Sequence, residues 1–192
     1  MISKSEKQKA GDVVWGEMKK INSELLTMTY GGIVVQLLRE NDFDADKVNA
    51  ELEDMGYNIG IRLVEEYLAK VEGKMSTKCI SFKEHIESIT FVAFKMFLGM
   101  NCECFEVHEK QWRISLPNNV LSEYVQLPDK LKQKLWYSNI YCGIIRGALE
   151  MLKYKVECRF VNDVLQGNKT STEIEVNLVD ILDQAKYVNY NS

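Results

Sequence analysis

The sequence predicts an α+β fold in which helices pack on a twisted antiparallel sheet. Between residues 23 and 98, apolar side chains recur with the period of an α-helix. Beyond residue 102, shorter segments alternate apolar and polar side chains, as half-buried strands do. One further helical segment, at about 135–152, separates two groups of strands. Helices followed by strands, without regular alternation, are typical of an antiparallel sheet covered by helices.

The first predicted helix begins at Glu24, with Ser23 as its N-cap. Gly31 and Gly32 lie inside it, and glycine costs a helix stability. We therefore expect another backbone to approach closely there. The helix presents one apolar face, made of Leu26, Tyr30, Ile33, Val34, Leu37 and Leu38.

A second helix is predicted over about 46–71, with an apolar stripe of Val48, Leu52, Met55, Ile59, Leu63 and Tyr67. Gly56 and Gly60 are four residues apart and share one side of it. This spacing indicates close helix packing. Tyr30, Gly56 and Gly60 are thus candidate contacts in a dimer, with packing inside the chain as the alternative.

Ser81 and Glu84 fit the capping-box pattern, which predicts the start of a third helix. The second half of this helix is apolar nearly all round: Phe91, Val92, Phe94, Met96, Phe97 and Leu98. Such a helix is buried on several sides or lines an internal cavity.

The remaining predicted elements are two strands near 104–107 and 111–116, the helix at 135–152, and two later strands. The first later strand alternates Tyr154, Val156, Cys158 and Phe160 with charged residues, and the last carries Ile174, Val176 and Leu178. Gly167 and Asn168 predict the turn between them.

Composition narrows the class of protein. The chain has 192 residues, 46% hydrophobic and 27% charged, which favours one globular domain. A net charge of −4 argues against nucleic acid as a partner, because phosphate binding needs clustered basic residues. The sequence shows neither a membrane-spanning run nor a secretory signal, so we expect a cytoplasmic protein. Five cysteines then form no disulfide framework.

Motifs for catalysis or metal binding are weak. The glycines at Gly31–Gly32 and at Gly143 and Gly147 lack the phosphate-loop pattern, so we expect no nucleotide site. Cys102, Cys104 and His108 suggest zinc, but a second ligand pair is missing, so ordinary thiols are the simpler interpretation and we expect no metal. Cys79 and His85 are too weak a pair to indicate a thiol enzyme. We therefore expect that the chain alone is not an enzyme.

Cys79 is nevertheless chemically distinctive. Lys78 places a positive charge beside it, and the helix beginning near Ser81 places a helix N-terminus close by. Both favour the thiolate and so lower the pKa of a cysteine. The apolar segment 91–98 of the same helix offers the wall of a hydrophobic pocket. A nucleophilic thiol beside such a pocket suits acylation by a fatty acid.

Six segments, in order, carry a family resemblance: SELLTMTYGGIVVQL, MGYNIGIRLVEEYLA, KC-x-x-F, VAFKMFLG, YSNIYCGIIRGALEM and FVNDVLQG. Over residues 23 to 180 the sequence resembles the palmitoylated small subunits of the TRAPP vesicle-tethering complex. The resemblance implies an α+β fold with an internal tunnel, in which a palmitoyl chain or similar fatty acyl group is attached to Cys79. Ala93, Phe94 and Phe97 are the expected lining of that tunnel.

The same resemblance implies a role in the complex. It implies a homodimer, or a heterodimer with other TRAPP small subunits, and peripheral association with Golgi and endoplasmic reticulum membranes. It further implies transport from the endoplasmic reticulum to the Golgi, with nucleotide exchange on a Rab-type GTPase by the assembled complex. The C-terminal end, with Tyr187 and Tyr190, is expected near that GTPase.

The predicted organisation is a flexible or variable N-terminal arm over 1–22, one domain over 23–182 and a tail over 183–192. Two other functions stay open at this point. A lipid or small-molecule carrier or sensor would use the same pocket with an exchangeable ligand. A cysteine hydrolase would release the acyl group with turnover.

Overall fold

The computed structural model describes residues 3–74, 81–167 and 171–182. The α-helices are α1 (Lys4–Glu17), α2 (Ser23–Glu40), α3 (Ala45–Val71), α4 (Phe82–Ser88), α5 (Phe94–Leu98) and α6 (Ile140–Met151). A π-helical turn, Ile89–Ala93, joins α4 to α5, and a 3₁₀ turn, Val164–Gln166, follows the third strand. The strands are β1 (Glu103–His108), β2 (Gln111–Leu116), β3 (Tyr154–Asn162) and β4 (Thr172–Ile181).

The four strands form one antiparallel sheet in the order β1-β2-β4-β3. Its inner face carries the alternating apolar side chains of the sequence, with Ile114 opposite Ile174 and both fully buried. Because successive strand residues point to opposite faces, this register sends Trp112, Ile114 and Leu116 of β2 and Ile174 and Val176 of β4 toward the helices. The predicted α+β fold of helices on an antiparallel sheet is confirmed.

α3 and α6 pack so closely that their backbones touch. A methyl group added at Gly56 would overlap the carbonyl oxygen of Ile140, and one at Gly143 would overlap that of Glu53. Gly60 meets Ile144 in the same way. Glycine is required here because a Cβ would hold the helix axes apart.

The three residues expected as dimer contacts are therefore used inside the chain, and that prediction is wrong. Gly56 and Gly60 are buried against α6. Tyr30 is 4% exposed, and its hydroxyl donates a hydrogen bond to the Tyr137 carbonyl oxygen at 2.5 Å. Packing within the chain, the stated alternative, accounts for all three.

α2 differs from the sequence expectation in its cap and its glycines. The N-cap is Asn22, whose Oδ1 accepts hydrogen bonds from the backbone of Glu24 and Leu25. Gly31 faces the side chain of Tyr137 and Gly32 has open space around it. No other backbone approaches this glycine pair within the described residues, so the expected close approach is wrong.

The predicted third helix is divided by the π-helical turn. Ser81 caps it as expected, since its Oγ accepts a hydrogen bond from the Glu84 amide at 3.3 Å. The wider turn at Ile89–Ala93 rotates the following residues relative to a regular helix. Apolar side chains therefore leave this segment on two opposite sides, one toward α1 and one toward the interior of the helical layer.

The flexible-arm prediction is wrong for residues 4–17, which form α1. Ser3 and Glu6 make a capping box at its start. Ala10, Gly11 and Val14 are buried, and Val14 packs in a cluster with Phe91, Val92 and Met96. This helix was not predicted because its buried residues are few and small, and because one of them is a lysine, so they form no recognisable apolar stripe.

α6 begins at Ile140 instead of near residue 135. Asn49 of α3 holds the segment before α6, because its Oδ1 accepts a hydrogen bond from the Trp136 amide and its Nδ2 donates to the Lys134 carbonyl.

Candidate functional site

An elongated apolar cavity of about 320 Å³ lies among the helices. Its wall is drawn from α2 to α6, the π-helical turn and the loop before α6: Leu26, Tyr30, Ile59, Leu63, Val64, Tyr67, Leu68, His85, Ser88, Ile89, Ala93, Phe94, Phe97, Leu98, Leu121, Ile140, Tyr141, Ile144, Ile145, Ala148 and Leu152. Its volume is at the lower end of the range that small-molecule sites usually show.

Ala93, Phe94 and Phe97 all line this cavity. They come together because the π-helical turn and α5 direct one side of the segment inward. Lys78 and Cys79 lie outside the described residues, and so do Tyr187 and Tyr190. The assignments of those four residues stay predictions.

The cavity runs along α3 and α6, which are parallel. Gly56 contacts Ile140 and Gly60 contacts Ile144, so residue numbers rise together along the two helices. The lining extends along α6 from Ile140 to its C-cap, Leu152, which at 1.5 Å per residue corresponds to about 18 Å.

The two ends of the cavity lie beside different residues. At one end, Tyr30 lies beside the start of α6. At the other, His85 contacts the ring of Tyr154 at 5.1 Å between centroids, just beyond Leu152. α4 begins at this second end, where Phe82 packs against Tyr154, and Cys79 is three residues before Phe82 in the sequence.

Polar groups in the wall are uncharged. His85 Nδ1 donates a hydrogen bond to the Ser81 carbonyl oxygen at 2.8 Å, and burial lowers the pKa of its ring. Burial also raises the pKa values of Tyr30 and Tyr141, which keeps both phenols protonated. The lining contains no Asp, Glu, Lys or Arg from the described part of the chain. Such a wall favours an aliphatic ligand over an ion.

The hydroxyl group of Tyr141 differs from the other polar groups of the cavity wall. It is buried and has no hydrogen-bond partner among the described residues. Its ring packs edge-on against Phe94, with centroids 5.7 Å apart.

Sequence reasoning missed the α6 wall and the residues on its opposite side. Ile59, Leu63 and Tyr67 were expected in an apolar stripe, and all three line the cavity, where Ile59 is exposed and the other two are partly buried. Ala148, small among the larger residues of α6, resembles Ala93 in leaving space. A small residue within an apolar helical face was the available signal.

The cysteine group at the start of the sheet does not form a metal site. Cys102 is 3% exposed, and burial raises the pKa of its thiol to about 12. Cys104 is partly buried, with its pKa also raised by burial. Within residues 3–74, 81–167 and 171–182, no three His, Cys, Asp or Glu side chains are grouped to hold a metal ion. In the same ranges, every helix is too short or too polar to cross a membrane.

Comparison with known proteins identifies the family. Residues 26–177 match the family described as transport protein particle (TRAPP) component. Trafficking protein particle complex subunit 3 of Dictyostelium discoideum is 46% identical over 185 residues, covering 95% of this chain and 97% of that protein. Transport protein particle subunit bet3 of Schizosaccharomyces pombe is 46% identical over 180 residues, covering 93% and 95% of the two chains.

A solved structure agrees in fold. It is a trafficking protein particle complex subunit 3 from Naegleria fowleri, covalently bound to palmitic acid. It matches with a TM-score of 0.79 and 45% identity, over 86% of this chain and all of that one. The chain therefore belongs to the TRAPP component family and is similar throughout to its subunit 3 members.

Proposed function

We propose that this protein is a structural core subunit of a TRAPP vesicle-tethering complex and holds a fatty acyl chain, linked as a thioester to Cys79, in the cavity among its helices. The observation that carries the proposal is the long, uncharged cavity, one end of which lies at the start of α4, three residues after Cys79 in the sequence. The palmitic acid bound covalently to the Naegleria relative supports the same chemistry.

The dimensions of the cavity suit a palmitoyl group. An extended chain advances by roughly 1.2 Å per bond, so sixteen carbons reach about 18 Å. This equals the length of the α6 lining. At about 0.8 kcal/mol for each buried CH₂, full enclosure contributes on the order of 10 kcal/mol. A chain held in this way stabilises the fold and does not anchor the protein in a membrane.

Intact mass spectrometry of protein from its native cell tests the covalent link. We expect one palmitoyl adduct per chain, lost on treatment with hydroxylamine and absent from a Cys79→Ser variant. Cys104→Ser is the matched control, because Cys104 is incompletely buried and does not line the cavity. An unmodified native chain, or an adduct that persists in Cys79→Ser, would refute the assignment.

A carrier or sensor of exchangeable ligands is the second candidate function. The unpartnered Tyr141 hydroxyl favours it, because that group could bind a free ligand with a polar end. In this case native protein would release its ligand intact on denaturation, without hydroxylamine. A thioester adduct that stays attached through denaturation would exclude both this function and a hydrolase.

The candidate surface for assembly is on α2. Three of its apolar side chains are exposed at helical spacing, Leu25 60%, Met28 77% and Val35 47%, and Ile21, just before the helix, is 70% exposed. Gly32 lies among them with open space around it. We propose that this face, in place of Tyr30, Gly56 and Gly60, binds a second copy or another TRAPP small subunit through helix–helix contact.

Sedimentation velocity at micromolar concentration tests that face. We expect the wild type to sediment as a dimer and Met28→Glu to shift it to monomer, because a buried unpaired charge opposes association. Met151→Glu is the control, since Met151 is an exposed apolar residue on α6. A wild-type monomer, or a dimer unaffected by Met28→Glu, would contradict the assignment.

In the cell, we propose that the subunit acts in transport from the endoplasmic reticulum to the Golgi, peripherally on those membranes. It supports exchange on a Rab-type GTPase only within the assembled complex. Family membership supports assembly with other TRAPP subunits. A reconstituted exchange assay, with this chain alone and with the complex, tests the point: exchange by the chain alone would overturn it.

A further inference from the structure

α1 lies against the outer side of the π-helical turn that forms one wall of the cavity. Val14 of α1 packs with Phe91 and Val92 of the turn. Ile89 and Ala93 of the same turn face the cavity. Only one turn of backbone therefore separates α1 from the proposed acyl chain.

The closest contact between α1 and the turn is at Gly11. A Cβ at this position would lie 2.6 Å from the Phe91 carbonyl oxygen, closer than any packed methyl group approaches an oxygen. The contacting atom belongs to the backbone, so no side-chain rotation can relieve it. Any larger residue moves α1 away from the turn.

A buried lysine holds the start of α1 in place. Lys7 is 1% exposed, and its Nζ donates to Glu87 Oε2 at 2.6 Å and to the Glu84 carbonyl oxygen at 3.3 Å. Desolvating an ammonium group is costly, and removing one partner of such a pair is strongly destabilising. The pair therefore fixes where α1 docks along α4, immediately before the π-helical turn.

Ion pairing continues on the far side of Gly11. Asp12 lies 3.3 Å from Lys95 of α5, at the exit of the turn. α1 thus contacts the segment before, within and after the π-helical turn. This matters because π-helical turns are rare, are found mostly as single bulges and concentrate at functional sites.

We propose that Lys7 and Gly11 are positioning residues for the acyl chain: through them α1 fixes the π-helical turn, and so sets how tightly the Ala93 wall encloses the ligand. This inference rests on the proposed function. Its new element is that the affinity for the acyl chain depends on the docking of α1. The cavity holds its chain firmly only while α1 is docked.

The test measures palmitate binding without the covalent step. Full-length protein with Cys79→Ser is titrated with sodium palmitate by calorimetry, alone and with Gly11→Ala or Gly16→Ala. Gly16 is in the same helix, is exposed and has open space around it. Both substitutions raise helix propensity equally, so they differ only in the contact with the turn.

We expect Gly11→Ala to weaken palmitate binding by about tenfold, the usual size of coupling between packed neighbours, and Gly16→Ala to leave it unchanged. Lys7→Met, which keeps the side-chain stem and removes its charge, should weaken binding in the same direction. Far-ultraviolet circular dichroism that retains the helical signal of the whole protein, together with a cooperative melt, shows that each variant is folded.

Thiol labelling reports whether α1 has moved. Cys104 lies close to Lys4 and Lys7 of α1 and to Thr90 of the turn, and burial raises the pKa of its thiol. We expect faster labelling of Cys104 in Gly11→Ala than in Gly16→Ala. This change reports displacement of α1 and is independent of any ligand.

The outcomes separate the inference from the proposed function. Equal palmitate affinity of Gly11→Ala and Gly16→Ala overturns the inference, whether or not Cys104 becomes reactive. Tight palmitate binding by the Cys79→Ser parent together with an unmodified Cys79 in native protein refutes only the thioester. Absence of palmitate binding in every variant refutes both.

Discussion

Ala93 offers the sharpest test of the cavity, because its substitution should affect the filled and empty protein in opposite directions. Its side chain lines the cavity from the π-helical turn, and it is only partly buried. In Ala93→Leu the added carbons extend into the volume of about 320 Å³ that an acyl chain would occupy.

The magnitude follows from counting displaced atoms. Leucine adds three carbons, so the acyl chain must withdraw about three methylenes, at a cost near 2.4 kcal/mol. This corresponds to roughly 50-fold weaker retention of a sixteen-carbon chain. Without a ligand, the same leucine fills an empty cavity, and such substitutions typically stabilise a protein by about 1 kcal/mol.

The assay combines mass spectrometry with unfolding. Ala93→Leu and wild type are incubated with acyl-coenzyme A donors of different chain lengths, and the adducts are weighed. We expect the variant to shift its preference to shorter chains. Hydroxylamine-treated samples are then unfolded in urea, where the variant should be the more stable. Ala50→Leu, at an exposed position of α3, controls for the added apolar side chain.

Two results would refute the reasoning. If Ala93→Leu keeps the wild-type chain-length preference and full occupancy, then Ala93 does not face the acyl chain. If the empty variant is less stable than the empty wild type, the leucine does not enter the cavity and is overpacked elsewhere.

Three further predictions concern packing, charge and the tail. Gly143→Ala should lower the free energy of unfolding by at least about 1–3 kcal/mol in urea titrations, because its Cβ would overlap the Glu53 carbonyl and separate α3 from α6, whereas an undiminished midpoint would contradict that contact. Asp163 is fully buried, and burial raises the pKa of its carboxyl above the ordinary 3.8, so the folded state binds its proton more tightly than the unfolded chain does. The wild type should therefore lose stability relative to Asp163→Asn as pH rises above 3.8, measured by urea unfolding at several pH values, and a pH-independent difference would be the contrary result. Deleting residues 183–192, with Tyr187 and Tyr190, should leave thermal stability nearly unchanged and reduce exchange by the assembled complex; undiminished exchange in an intact assembly would show that the tail has no such role.

The sequence by itself determined the class of fold and most of its elements. Strong periodicity identified α2, α3, β2, β3 and β4, since each buries an apolar face and the spacing of apolar residues reports that burial. The capping box at Ser81 located the start of α4, because a cap is a local interaction between neighbouring residues. The family resemblance named Ala93 as part of the tunnel lining, and Ala93 lines the cavity.

Only the tertiary structure decided which partner each apolar or small residue meets. The spacing of Gly56 and Gly60 indicates that another helix packs closely against α3. It does not show whether that helix belongs to the same chain or to a second one, and the structure shows that it is α6. α1 escaped prediction because its key buried residue, Lys7, is stabilised by Glu87, which lies far away in the sequence. Apart from the family resemblance, which implied a tunnel, the pattern of residues could not define the cavity, because a void is enclosed by side chains from many elements.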